Sequence, residues 1–446
     1  MPIVPQPATA ALLLCYAGSA RAFTTLTPNC TLPALEPGSA FNVVSPKLRS
    51  TFNILWSSLA TIIACTYSVM HLNVPRQRNG RDPGWKGDLK WWWKAFRVKM
   101  KCSVIAMFAP EWYLLVAAIH YHAARKLQRR LQDLGDSVHG GRRWSISECF
   151  HIDMAGYGIS RWTSVTDREV TRLQAHSFVQ VLELNPSLVL PQLLDADEVA
   201  ARSKSDVFTR SIVLTQILYF VVAVISRWIE HQPVTPLEVG TLAFTMYSFC
   251  TYGLYWHKPQ GVTAVTIIAL YDHPISESLS MMLPKDEEDD AFYFSTIDKG
   301  LAWEAWVEIL FLGGPLLSFT FACTSAIFSA IHLAAWNSTF PTTVERIVWR
   351  VATLVSALAF AIICLLDVLL KFDAVWWLLN RVRDRLGSQR LDKAVEGLVA
   401  SIFVVTTVVY VLARLVIIVE MFRSLAYLPL DAYVTTSWPA NVPHFG

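Results

Sequence analysis

Residues 50–75 contain no Lys, Arg, Asp or Glu, and residues 309–344 repeat the pattern over a longer tract. About 20 uncharged, mainly apolar residues suffice for a helix to cross the hydrocarbon core of a bilayer. Inside that core no water is present to satisfy backbone amides, so a chain built from such tracts folds as helices or as a closed barrel. Only 16% of the 446 residues are charged and 53% are hydrophobic, which excludes a disordered or collagen-like chain. The formal net charge of +3 offers no footprint for a nucleic acid, so the lipid bilayer is the expected partner.

Further candidate spans are residues 211–226 with Arg210 and Arg227 snorkelling at the ends, then 239–256, 347–370 and 395–418. In the long uncharged tract Gly313-Gly314-Pro315 should break a helix, which places that span at about residues 316–336. The expected fold is all-α: a polytopic membrane protein with six spans plus one re-entrant or seventh segment. The doubtful segment is 103–121, apolar but interrupted by Ala109-Pro110-Glu111. Of the 38 Lys and Arg, 27 fall within residues 73–101, 125–210 and 371–393. Positive charge favours the cytoplasmic side, and all three stretches reach it only if 103–121 enters and leaves on one face.

Residues 8–17 form a short apolar run, and Ala20-Arg21-Ala22 has the pattern of a signal-peptidase site. Residues 1–22 therefore read as a signal peptide, or alternatively an uncleaved anchor, and 23–51 as a lumenal segment. Asn29 and Asn337 begin glycosylation sequons, and the charge bias places both in the lumen. The expected location is an integral membrane of the secretory pathway, endoplasmic reticulum or plasma membrane. Residues 52–124 hold the first span, a basic loop and the re-entrant segment, and residues 125–210 a cytoplasmic subdomain. Residues 211–446 form the membrane core, with an acidic cytoplasmic loop at 257–308 and a lumenal tail. Eight Cys, with Cys30 the clear lumenal thiol, imply no disulfide framework.

The sequence lacks a phosphate-binding loop, a His-Glu-x-x-His zinc site, a Cys-x-x-Cys pair and a Gly-x-Ser-x-Gly elbow. No Lys falls within a span, which disfavours a retinal-type Schiff base. The candidate catalytic residues are ionisable groups at bilayer depth: Glu111, Asp367, Arg414 and Glu420. Arg414 and Glu420 are six residues apart, off a common helical face, so each should pair with another segment. Asp286, Asp289 and Asp290 lie in a dense acidic run that would hold Mg²⁺ against a diphosphate if helical; the alternative is a solvated loop. His120 and His122 are spaced wrongly for joint ligation, and His332 reads as a satisfied polar contact. Lys90-Trp91-Trp92-Trp93-Lys94 and Trp376-Trp377 read as interfacial anchors on the cytoplasmic leaflet, or alternatively as an aromatic cage.

Scattered blocks carry a resemblance. They include Trp56-Ser57, His71-Leu72-Asn73-Val74-Pro75, Ser203-Lys204-x-Asp206, Trp256-x-Lys258-Pro259, Ile331-His332, Phe340-Pro341-Thr342, Trp349-Arg350, Ala413-Arg414-Leu415 and Val419-Glu420. In combination the sequence resembles a large group of fungal multi-pass membrane proteins from about Phe52 onward. The resemblance implies a fungal source and a shared multi-span core, and it supplies no reaction. Two positions depart from the group's pattern: Gly261, where Asp is typical, and Glu148, where His is typical.

Three functions fit these residues. A membrane-embedded enzyme would act on an apolar, isoprenoid-like or lipid-like small molecule, with Glu111 or Asp367 as acid and Arg414 as anion partner. A transporter or channel would line a polar path with the same charges. A receptor or scaffold would use them structurally.

Overall fold

The computed structural model describes residues 48–75, 77, 82–134, 141–162, 168–203, 207–271, 315–370 and 388–436. The chain is mostly helical. Helix α1 (Thr51–Ser68) begins at Ser50, whose hydroxyl accepts the Asn53 amide hydrogen at 3.1 Å. Helices α2 (Trp85–Phe108) and α3 (Pro110–Asp133) follow, the chain turning by 112° between them. Pro110 has no amide hydrogen to continue α2, and it suits the first turn of α3.

The C-terminal half of α3 leaves the bundle and enters a small α/β subdomain. Its Ala124, Leu127 and Leu131 share a core with Phe150, Tyr157 and Phe178. The subdomain contains α4 (Ile146–Asp153), β1 (Tyr157–Trp162), β2 (Arg168–Arg172), α5 (Ala175–Leu184) and α6 (Ala196–Ala201). Strand β2 pairs antiparallel with β1. The third strand, β3 (Thr266–Tyr271), pairs with β1 in parallel, and it arrives only after α7 (Val207–Ile229) and α8 (Pro236–Leu254). The sheet order β2-β1-β3 therefore makes α7 and α8 a hairpin that starts and finishes at the subdomain. Helices α9 (Pro315–His332), α10 (Thr343–Leu370) and α11 (Ser388–Arg423) complete the bundle.

The opposite end of the bundle gathers the start of α1, the α7–α8 turn and the C-terminal tail. Leu48 bridges to Val434, Arg49 donates to the Ala432 carbonyl at 2.7 Å, and Arg227 donates to the Val434 carbonyl at 2.7 Å. Three helices begin with the same hydroxyl–glutamate device, and α6 begins with its aspartate form, Asp195 with Glu198. Ser145 with Glu148, Thr235 with Glu238 and Thr342 with Glu345 each form a reciprocal pair of side-chain to backbone hydrogen bonds at the helix start. In each, the glutamate also accepts from an arginine: Arg142, Arg49 and Arg423 respectively. At position 148 a His would forgo this carboxylate role. Gly261 has φ of +70°, a left-handed conformation that Gly adopts freely and Asp tolerates.

Two sequence expectations are corrected, the wholly helical fold and the number of spans, while the expected interruption at Ala109-Pro110-Glu111 is present. The fold is not all-α, because the subdomain holds a three-stranded sheet; its strands are five or six residues long and one comes from beyond two helices, so no local hairpin pattern marks it. Residues 103–121 are two helices with a break at Ala109, and α2 begins in the stretch read as a basic loop. Fewer helices than six are long and apolar enough to cross a membrane. Among the described residues these are Arg210–Ile229 and Val404–Tyr427, with the bent α2–α3 pair a third if counted as one span. Helices α1 and α8 are diluted by hydroxyl residues that face inward. In α1 Thr61 and Thr66 donate to the Ser57 and Ile62 carbonyls, and in α8 Thr241 and Thr251 donate to the Leu237 and Tyr247 carbonyls. Small residues also let helices approach closely: a Cβ at Gly240 of α8 would meet the Met421 sulfur of α11 at 2.1 Å.

Gly156, in the turn from α4 to β1, has no such soft neighbour. A Cβ there would lie 2.4 Å from the buried His151 ring and 2.6 Å from its carbonyl oxygen. Gly156→Ala should destabilise the protein by about 1–3 kcal/mol, the usual cost of overpacking, read as a lowered Tm of purified protein.

Candidate functional site

Two polar centres lie along α3. The first is at its start, where Glu111 and Arg414 of α11 meet. Arg414 Nη2 donates to both carboxylate oxygens at 2.8 Å, and both side chains are fully enclosed. Arg414 Nε donates to the Tyr410 hydroxyl at 2.9 Å, and its guanidinium lies 3.9 Å from the centre of the Phe328 ring. Isolated charges in such surroundings would be prohibitively costly, and the pair is retained because each satisfies the other. With both carboxylate oxygens taken up by Arg414, Glu111 serves as one half of a clasp between α3 and α11.

The second centre lies nine residues along α3, about 13 Å further up the helix axis. His120 Nδ1 is 2.9 Å from the Tyr255 hydroxyl and 3.2 Å from Lys258 Nζ. Lys258 follows α8, is wholly enclosed, and also donates to Asn73 Oδ1 at 3.3 Å. Its amine lies 4.9 Å from the centre of the Tyr255 ring. Among the described residues no carboxylate reaches ion-pair distance of it; Asp153, at the end of α4, acts through its field. Burial pushes Lys258 down from the usual 10.5 to about 8, with the Asp153 charge opposing the fall. Burial likewise pushes Asp153 up to about 6 against the Lys258 charge. His120 Nε2 is enclosed and has no partner among the described residues. Ala155, two residues after Asp153, holds a left-handed φ of +56°, a conformation a residue with a Cβ adopts at a cost.

A small cavity lies at the α2–α3 break, lined by neighbours of the two centres and by none of their own ionisable residues. Pro110 and Tyr247 line it beside Glu111, and Tyr113 lines it while hydrogen-bonding the backbone of His71. His71 in turn packs 4.9 Å, ring centre to ring centre, from Tyr255.

Of the sequence-derived candidates, Glu111 and Arg414 come together, and Arg414 finds its partner on another segment as expected. Glu420 does not; its nearest cation is Arg423 of its own helix, at 3.8 Å. Asp367 lies in α10, and its side chain is outside the described residues, as are Asp286, Asp289, Asp290 and Asn29. Asn337 is exposed and its amide oxygen accepts from Arg350 at 3.4 Å. His332 is satisfied by the Phe328 carbonyl at 2.9 Å. The helix turns His122 to the surface while His120 points inward. The sequence reading assigned no chemistry to Lys258, Asn73, His120 or Asp153. The signal for Asn73 and Lys258 was present in the His71–Pro75 and Trp256–Pro259 blocks, each placing polar residues just beyond an apolar helix.

The fold and these centres define a mostly helical protein with helices long and apolar enough to span a membrane and an appended α/β subdomain. The chain belongs to a family of unknown function, DUF8562, whose model matches residues 26–286 and 315–445. No curated protein and no solved structure matches it.

Two measurements test these centres. Glu111→Gln and Arg414→Met should each cost about 3–5 kcal/mol, and the double variant clearly less than their sum, in chemical denaturation of the purified protein. Between about pH 8 and the usual lysine value the unfolded chain binds a proton at Lys258 that the folded protein does not. Wild-type stability should therefore gain an increment as pH rises through that window, and Lys258→Met should lack it.

Proposed function

We propose that this is an integral membrane enzyme that carries out acid–base chemistry on an apolar, lipid-like metabolite, with Lys258 and His120 handling the proton. The observation that carries the reading is the enclosed Lys258 amine, set against neutral partners and beside an unpartnered His120 nitrogen. A buried lysine with a purely structural role is normally paired with a carboxylate. Here the amine and Asp153 instead titrate on either side of neutrality within one cluster, the condition suited to general acid–base work near pH 7.

In this reading the apolar helices α7 and α11 cross the bilayer, α1, α8, α9 and α10 pack with them in the bundle, and the bent α2–α3 pair is the re-entrant element. The two-ended organisation supports it: the ends of α1 and α8 meet at the subdomain, and the start of α1, the α7–α8 turn and the tail meet at the other end. Glu111 and Arg414 then sit near mid-bilayer as a clasp that positions α3, and the acid role moves from Glu111 to the second centre.

Microsomes with and without the protein, fed mixed lipid extracts and prenyl compounds, should differ by a product visible to untargeted mass spectrometry. That product should disappear in Lys258→Met while the protein stays folded. Its pH profile should show a limb near 8 that moves lower in Asp153→Asn, because that charge holds the amine's affinity for its proton up. A well-folded protein that yields no product but carries a solute across vesicles would replace the enzyme with a transporter.

A further inference from the structure

We propose that α2 is an inclined, half-inserted helix that binds the anionic phospholipid surface of the leaflet facing the subdomain. The helix has three faces. One, with Gly87, Cys102 and Ala106, packs on the protein. A second, with Trp85, Leu89, Trp92, Trp93, Met100 and Val104, is exposed, Trp85 by 71% and Trp92 and Trp93 by 51% each. These positions recur at helical spacing and form a continuous apolar stripe. Within it Trp92 stacks on Phe96 at 5.3 Å and Trp93 on Phe96 at 5.6 Å, giving a preformed aromatic ledge. The third face carries Lys86, Lys90, Lys94, Arg97 and Lys101 in a row beside the stripe, while the single acid of the helix, Asp88, lies off that row.

Tryptophan beside lysine on an apolar helix is the composition of a helix resting at the headgroup level. The geometry sets its angle. With α3 along the bilayer normal, a 112° turn leaves α2 about 22° from the membrane plane. Twenty-four residues span about 36 Å, so the helix descends about 13 Å from Trp85 to Phe108. That is close to half of the ~30 Å hydrocarbon thickness, which is the depth a buried Glu111–Arg414 pair at mid-span requires. The Trp end thus sits among headgroups, Met100 and Val104 lie among acyl chains, and the cationic row faces lipid phosphates. This inference rests on the membrane-spanning reading above.

The test uses the full-length protein reconstituted into phosphatidylcholine vesicles with and without 30% phosphatidylserine. Spin labels are placed singly at Trp93→Cys, Met100→Cys and Val104→Cys, with Val408→Cys on α11 as a control. Accessibility to oxygen over an aqueous nickel chelate should rise from 93 to 100 to 104, and phosphatidylserine should raise Tm. Neutralising Lys86, Lys94, Arg97 and Lys101 to Gln should abolish that rise and lower affinity for anionic vesicles by roughly tenfold or more. If the three α2 labels report water while the Val408 label reports hydrocarbon, the inference is overturned and the membrane reading stands. If the Val408 label also reports water, both fall. Spin–spin broadening among α2 labels, with no hydrocarbon signature, would replace the bilayer with a second copy of the chain.

Discussion

A charge removed from water must be met by another charge or by several hydrogen bonds, and this constraint organises the molecule. Glu111 opens α3 immediately after a proline break, 303 residues before Arg414 in the middle of α11. Once paired, they fix the start of α3 against the last helix, and with it the direction in which α3 leaves the bundle. Everything attached to α3 follows from that: the subdomain core built on Leu127 and Leu131, and the height at which His120 meets Lys258.

The same constraint is met differently at the helix ends. Backbone amides at the starts of α4, α8 and α10 are satisfied by a hydroxyl and a glutamate in sequence, which is a local solution. The glutamates are then used a second time by arginines, two of which come from distant segments, so a local cap becomes a tertiary tie. Arg227 goes further, with no carboxylate at its head among the described residues but carbonyls of the tail and of Pro233 around it. Satisfaction of polar groups, together with the apolar core of Ile54, Leu237, Phe340 and Trp349, holds the end of the bundle opposite the subdomain together.

The second centre differs from all of these because it is incompletely satisfied. Lys258 is enclosed among Asn73, His120 and the Tyr255 ring, a carboxylate stands off at Asp153, and a ring nitrogen of His120 has no partner among the described residues. Unsatisfied polarity gathered around an enclosed amine is where a protein exchanges stability for chemistry.

By itself the sequence determined that the chain is helical and apolar, where its break at Pro110 falls, and that Glu111 and Arg414 need partners, because charge spacing and proline chemistry are local properties. It also placed the Trp and Lys of α2 side by side. Only the tertiary structure decided that Glu111 and Arg414 choose each other, that β3 closes a sheet across an intervening helix pair, and that Asn73, His120, Asp153 and Lys258 share one enclosure. Those residues lie up to 185 positions apart. Pairings at that separation depend on how whole helices pack, and no local periodicity encodes which inward-facing polar residues will meet.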